Sequence, residues 1–543
     1  MNAELDILKR GWGYPDTAGA AALVERLRSA WERGHTAIVL QAPERALLKG
    51  CAAVGTGDQA TPLVLKKDLL QSWRFHEAER QVAVRLKQMA GTEDRAPGTP
   101  LQKLLEELSP AWVGAEQAAA VALGQRKQLA LITGGPGTGK TRTAAFLLAL
   151  RLLEQPRLRY ALAAPTNKAA RRLGDSIAKV ASGLTGALAP AKAGLEAASK
   201  HARTLHGLLA WNRETDRCGR NADRPLALDL LIVDEASMMD ILQWRVLLDA
   251  LPAKASLVVL GDPRQLESVE AGRVLGVMVE SGQKGALKGC HAELNENFRF
   301  AGRPGIRALA EAARLGDLKA LLAASPAPQS KAADQVEGLR NAKPSDALDR
   351  VWEPTVRLAA AKDPGEALQA LQSLRVLCAV NRGPYGVEGM NAAIEDRLAV
   401  WALAKGIKDW CRPVIIKVND PHTDLSNGDL GVLMPRAQGG QAWFDRGGAP
   451  KAYALSRLPE RDLAWAMSVH KSQGSEYKAV LVVLPPAEEL NENTRALLTP
   501  ELLYTAVTRA EERVVLCAEE PALALACEAR EPRVTGLGEW MDV

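Results

Sequence analysis

The chain has 543 residues, too many for one hydrophobic core, so roughly three or four domains are expected. Hydrophobic residues make up 47% and charged residues 24%, values that exclude a disordered, collagen-like or coiled-coil chain. The formal charge of +5 permits a polyanionic partner without requiring one, because a nucleic-acid binder can gather its charge on one face.

The seven cysteines are scattered with no C-x-x-C pair, and read as reduced, mostly buried thiols. The opening MNAELDILKRGWG has no apolar core of signal-peptide length, and no run approaches the ~18 apolar residues of a membrane span. A soluble, cytoplasmic protein is expected.

Residues 1–108 lack a strand rhythm and are rich in helix formers, as in LLQSWRFHEAERQVAVRLKQMAG, which predicts a separate, mainly helical N-terminal domain. Bare apolar runs then recur: LALIT 129–133, YALAA 160–164, LDLLIV 228–233, SLVVL 256–260, RVLCAV 375–380, AVLVVL 479–484 and RVVLCA 513–518. Alternating with helical stretches, they predict buried parallel strands and an α/β class. Their grouping predicts one α/β domain over 109–288 and a second over 289–404 and 461–543, with a catalytic cleft between them. Residues 405–460, with turn signals as in VNDPHTDLSNGDLGVL, predict a small β-barrel inserted in the second. The stretches 181–203 and 211–227 read as surface excursions.

Ligands of such sheets bind beyond the carboxyl ends of the strands, and the residues following the runs are polar and specific. GGPGTGKT, from Gly134 through Gly135, Pro136, Gly137, Thr138, Gly139 and Lys140 to Thr141, fits G-x-x-x-x-G-K-[ST] between a strand and a helix. Its glycines let backbone N–H groups face phosphates, Lys140 reaches the β and γ oxygens, and Thr141 offers a hydroxyl to Mg²⁺. Asp234 and Glu235 follow the run LDLLIV, the first placed for the Mg²⁺ shell and the second to polarise the attacking water. Gln265 in GDPRQLESVEAG can bring an amide to the γ-phosphate. Arg299 and Arg509 are the candidates to stabilise charge on the transferring group, a role worth roughly 10³–10⁵ in rate. The polar stretch SVHKSQGSEY, 468–477, taken alone reads as a solvated loop.

Together these motifs resemble the superfamily 1 helicases, and most nearly the RecD family of the exodeoxyribonuclease V (RecBCD) complex. The likeness runs from about residue 111 to the end through APTNKAARRL, TLHGLL, VDEASM, GPYGVEGMN, LSNGDLG, SVHKSQGSEY and LLYTAVTRA. It implies two RecA-like P-loop motor domains, an SH3-like form for the inserted barrel, and an N-terminal domain contacting RecC. It also implies an ATP- and Mg²⁺-dependent helicase moving 5′ to 3′ on single-stranded DNA, in a heterotrimer with RecB and RecC that acts on duplex ends in break repair and recombination. By this resemblance Gln117 reads the adenine edge, and Arg142, Gly474 and Glu476 join the nucleotide site. Pro165, Thr166, Lys168, Thr204, His206, Ser468 and His470 face DNA. Asn167 stands where the family has Gly, and Glu267 where many relatives have Pro.

A GTPase would need N-K-x-D, and Asn167-Lys168 is followed by two alanines. An AAA+ ATPase has no place for HKSQGSE or YTAVTRA. A scaffold with a dead motor fits poorly with intact Lys140, Asp234, Glu235, Gln265 and Arg509. A free-standing repair helicase of related type remains open. With no acidic metal cluster beyond the ATP site, no nuclease activity is expected.

Overall fold

The computed structural model describes residues 18–95, 114–212, 215, 217–326, 335–340, 343–420, 422–435, 440–528 and 531–543. The opening residues and the expected domain boundary at 108/109 lie outside these. The chain forms two compact units: residues to Pro263 with Glu267–Glu296 and Glu531–Val543, and Arg264–Leu266 with Asn297–Arg530.

The first unit begins with α1 (Ala18–Glu32), β1 (Ala37–Val39), β2 (Val54–Gly55), β3 (Leu63–Lys66), β4 (Leu69–Ser72) and α2 (Trp73–Ala90). Ser72 caps α2 by accepting the Phe75 N–H at 3.4 Å. The four strands pair in the order β1-β4-β3-β2, a sheet that the helical expectation omitted because strands of two to four residues carry no period-two signal.

After α3 (Ala115–Arg126) comes a parallel sheet. Its strands are β5 (Leu129–Gly134), followed by α4 (Lys140–Glu154), then β6 (Tyr160–Ala164), followed by α5 (Asn167–Gly183), and β7 (Arg203–Thr204). A separate hairpin of β8 (Trp211–Asn212) and β9 (Arg217–Cys218) precedes β10 (Leu230–Val233), β11 (Ser256–Gly261) and β12 (His291–Leu294). The strand order is β12-β5-β11-β10-β6-β7. Both faces are covered, which explains the unbroken apolar runs. Leu129, Leu131, Leu231, Val233, Leu257 and Val259 enter one core, and Ala130, Ile132, Leu230, Ile232, Val258 and Leu260 the other. The N-terminal segment contributes Leu27, Leu40, Leu70 and Leu86 to the first of these cores. The stretch 181–203 is not a mere excursion, since Leu184, Leu188, Leu195 and Ala198 are buried in the second.

The second unit contains β13 (Val336–Leu339), β14 (Leu374–Cys378), a five-strand insertion, β20 (Ala466–Ser468), β21 (Tyr477–Val483) and β22 (Ala510–Cys517). The insertion is β15 (Arg412–Ile416), β16 (Leu430–Leu433), β17 (Gln441–Arg446), β18 (Ala449–Ala454) and β19 (Arg461–Leu463). The parallel sheet runs β13-β22-β21-β14-β20, and the antiparallel one β18-β17-β16-β15-β19. Val480, Val482, Val514 and Leu516 face one core, Leu481, Val483, Val515 and Cys517 the other. The insertion has its own small core, in which Phe444 and Tyr453 meet edge to face at 5.5 Å.

One expectation is corrected here. Residues 531–543, assigned with 461–530 to the second domain, pack in the first unit. There the Thr36 N–H donates to Val534 O at 3.0 Å, and Leu537 and Met541 are buried in the first unit's core. Apolar residues scattered through a short tail do not specify which core they will join.

All seven cysteines are free, and five are buried. Burial pushes the Cys411 and Cys517 thiols up to about 12, so neither is a nucleophile near neutral pH. Among the described residues, no helix is long and apolar enough to cross a membrane.

Candidate nucleotide and nucleic-acid sites

Because the strands of the first sheet are parallel, the loops after β5, β6, β7, β10 and β11 all leave from one edge. The loop after β5 turns sharply at Gly137 (φ +82°) and at Gly139 (φ +86°), the residue that caps α4. The positive φ of Gly139 strains any residue with a Cβ, and a Cβ there would also press on Gln117 Nε2, 2.3 Å away. Lys140 folds over the loop and donates to Gly134 O at 2.6 Å and Gly135 O at 3.0 Å. Thr138 adds a hydroxyl bond to Gly135 O at 2.9 Å. Pro136 is buried within the loop, while Arg142 is exposed, its guanidinium 5.7 Å from the Phe146 ring centroid.

Gln117 spends its amide on this loop. Its Nε2 donates to Thr138 O at 2.9 Å, and its Oε1 accepts the Gly114 N–H at 3.3 Å. It braces the loop after β5. The neighbouring Glu116, which the sequence did not single out, accepts the Asn295 and Glu296 N–H groups at 2.7 and 3.1 Å. Those bonds hold its carboxyl below the usual range. Nothing in the sequence marks it, since its partners lie 179 and 180 residues away.

At the end of β10, Asp234 Oδ2 accepts the Thr141 hydroxyl at 3.1 Å and Oδ1 accepts the Glu235 N–H at 2.8 Å. Burial first, and then the Glu235 carboxylate, push the Asp234 carboxyl above its ordinary value, with Lys140 opposing. Glu235 is left-handed at φ +53°, a strained conformation for a residue with a Cβ. Strain and a buried charge side by side cost stability, and such costs collect at functional sites.

Among the candidate DNA contacts, Thr166 caps α5, accepting the Ala169 N–H at 3.2 Å. Thr204 accepts the Gly207 N–H at 3.1 Å. The β6–β7 register sets Ala164 against Thr204, so Pro165, Thr166 and Lys168 start beside Thr204 and His206. His206 is exposed, with its ring edge-on to Trp211 at 5.3 Å.

In the second unit two candidate pairs come together. Arg509 is 2% exposed and donates to Gln265 Oε1 at 3.2 Å, Ser475 O at 3.2 Å and Thr505 O at 3.1 Å. Arg299 forms an ion pair with Glu476 and reaches Thr508 O at 3.5 Å. SVHKSQGSEY is mostly buried rather than a solvated loop: Ser468, Ser472, Gln473 and Ser475 are each under a tenth exposed. It leaves β20 with Ser468 accepting the Lys471 N–H at 3.3 Å, then turns at Gly474, φ +70°. His470 is half-buried, and Gln473 Nε2 donates to Leu266 O at 3.0 Å.

Comparison with known proteins follows the same division. The model of an AAA domain matches residues 117–271, and that of a UvrD-like helicase C-terminal domain matches 463–517. The RecBCD enzyme subunit RecD of Mycolicibacterium smegmatis is 38% identical over 435 residues, 78% of this chain and 74% of that one. Its counterpart in Haemophilus influenzae is 31% identical over 476 residues, 78% and 72%. The ATP-dependent RecD2 DNA helicase of Deinococcus radiodurans is 29% identical over 458 residues, 83% of this chain but 54% of that one. Among solved structures, the Pif1 helicase of Candida albicans overlays with a TM-score of 0.39 at 18% identity, covering 76% of this chain and 96% of that one, too loose a fit to carry a functional argument.

Proposed function

The chain belongs to the RecD family of RecBCD enzyme subunits, and on that premise we propose that it is an ATP-dependent, 5′-to-3′ single-stranded DNA translocase and helicase. Its partners are RecB and RecC, and its substrates are the ends of broken or linear duplex DNA in the cytoplasm. The observation that carries the ATPase reading is the Thr141–Asp234 bond of 3.1 Å beside Lys140 on the loop after β5.

In this reading the N-terminus of α4 and Lys140 bind the β and γ phosphates. Thr141 and Asp234 suit Mg²⁺: a hydroxyl and a carboxylate are hard oxygen donors, and the burial that raises the Asp234 carboxyl is relieved by a cation. The ion, when bound, supplies charge stabilisation to the phosphates. Glu235 orients the attacking water, Gln265 senses the γ-phosphate, and Arg299 and Arg509 stabilise charge on the transferring group. Gln117 adds adenine recognition to its bracing of the loop, and Gly474 and Glu476 complete the nucleotide site. Pro165, Thr166, Lys168, Thr204, His206, Ser468 and His470 contact the strand, so that each turnover alternates the grip on it.

The five-stranded insertion is read as an SH3-like barrel, and the N-terminal segment to residue 108 as the RecC contact. A free-standing helicase is the second reading; the chain spans 54% of the Deinococcus radiodurans relative against 74% of the Mycolicibacterium smegmatis one, which disfavours it.

The test is ATP hydrolysis by the purified chain with and without single-stranded DNA, then unwinding of duplexes bearing a 5′ or a 3′ overhang. Stimulation by DNA and unwinding from the 5′ overhang are expected. A folded, ATP-binding chain that DNA never stimulates, alone or with RecB and RecC, rules the motor out.

A further inference from the structure

Glu267 has two basic partners. Its Oε1 lies 3.5 Å from Arg273 Nε, and its Oε2 lies 3.2 Å from Arg533 Nε. Arg533 also donates from one terminal nitrogen toward the carbonyl oxygens of Ser268, Glu270 and Gly272, at 2.8, 3.2 and 3.4 Å. One guanidinium from near the end of the chain therefore holds a carboxylate and three carbonyls of a single turn, 267–272.

The seat fits that side chain closely. Gly34 has φ +86°, and a Cβ there would lie 2.2 Å from Arg533 Cζ. The Gly272 N–H donates to Gly34 O at 2.9 Å, closing the turn against the same glycine. The segment bearing Arg533 is rooted in the N-terminal part of the unit. Val534 exchanges bonds with His35 and Thr36 at 2.9 and 3.0 Å, and the hydroxyls of Thr36 and Thr535 both donate to buried Glu79 at 2.5 Å.

The turn follows Gln265 directly. Between them, the Leu266 N–H donates to Thr505 Oγ1 at 3.0 Å, and its carbonyl accepts Gln473 Nε2 at 3.0 Å. The chain passes into the first unit at Glu267 and again at Glu531, so the Arg533–Glu267 pair ties together two of these re-entry points.

We propose that Arg533 is a positioning residue for ATP turnover: by holding Glu267 and the turn behind it, it anchors the point from which the chain leads back to Gln265. This rests on the ATPase reading above. Gln265 bears on hydrolysis more than on nucleotide affinity, so loosening its loop acts on kcat rather than KM.

The experiment compares the full chain with Arg533→Met, Arg533→Lys and Glu267→Gln by two readouts: hydrogen exchange of the 264–273 amides, and steady-state ATP hydrolysis on a saturating single-stranded oligonucleotide. Arg533→Met is expected to speed exchange in 264–273 and to lower kcat about tenfold with KM for ATP within about twofold. Arg533→Lys keeps the charge without the fork and falls between, and Glu267→Gln gives a smaller loss. Should Arg533→Met fail to fold, the other two variants carry the same readouts. Wild-type exchange and wild-type kcat in the folded variants overturn the proposal. If the wild-type chain hydrolyses no ATP, the ATPase reading fails separately, and faster exchange at 264–273 still distinguishes a strap from no strap.

Discussion

Thr141 at the start of α4 donates its hydroxyl to Asp234 at the end of β10, 3.1 Å away, joining the ends of two strands that flank β11. A hydroxyl and a buried carboxylate at that distance, beside a lysine held on loop carbonyls, are the groups proposed to hold a metal–triphosphate. Lys140→Gln removes the cation and its bonds to two loop carbonyls but little apolar packing, since the side chain is part-exposed. DNA-stimulated ATP hydrolysis should fall at least ~100-fold, with the melting temperature unchanged. Turnover surviving in that variant would sink the assignment of the loop.

Arg509 has a different signature, because it is both buried and bonded. Arg509→Ala removes the N–H groups that Gln265 Oε1 and the Ser475 and Thr505 carbonyls now accept, so a loss of about 3 kcal/mol in stability is expected with the loss of turnover. Arg509→Lys retains charge but not the fork, and should recover more stability than activity. Urea unfolding alongside ATPase separates the two, and a fully active Arg509→Lys would contradict the role.

Glu79 sets a pH dependence. Burial raises its carboxyl above the ordinary value, against bonds from Thr36, Thr535, Gln71 and the Gly536 N–H. The folded chain therefore keeps this proton to higher pH than the unfolded chain does. The stabilisation is complete below the ordinary carboxylate range and is lost as pH rises through the raised value. Thermal melts of Glu79→Gln across that window should lack the decline seen in the wild type. Parallel curves would show that the group does not titrate as described.

The DNA contacts predict a salt effect. If Lys168 neutralises one phosphate, Lys168→Ala should reduce the slope of log affinity against log salt by about 0.7 for a single strand. His206→Ala and His470→Ala should weaken binding by about tenfold or less with the slope nearly unchanged. Fluorescence anisotropy of a labelled oligonucleotide at several salt concentrations reads both, and an unaltered slope for Lys168→Ala removes it from the interface.

The sequence by itself determined what short-range chemistry determines. The apolar runs marked the buried strands because both faces of each parallel sheet are covered. The phosphate loop was legible because the bonds that shape it span few residues, from Gly134 to Thr141. The carboxylates after β10 were legible because a charge at a buried strand end needs a reason.

Tertiary structure decided the long-range pairings. Glu116 with Asn295, Arg299 with Glu476, Arg509 with Gln265 and Arg533 with Ser268 join residues separated by 177 to 265 positions. No local pattern encodes such partners, since an arginine on a sequence looks the same whether it ends in water or on a carboxylate. The same reason explains the polar stretch 468–477, which reads as a solvated loop until the fold buries Ser472, Gln473 and Ser475. It also explains the chain's final residues, whose destination was fixed by which unit offered Leu537 and Met541 a place in its core.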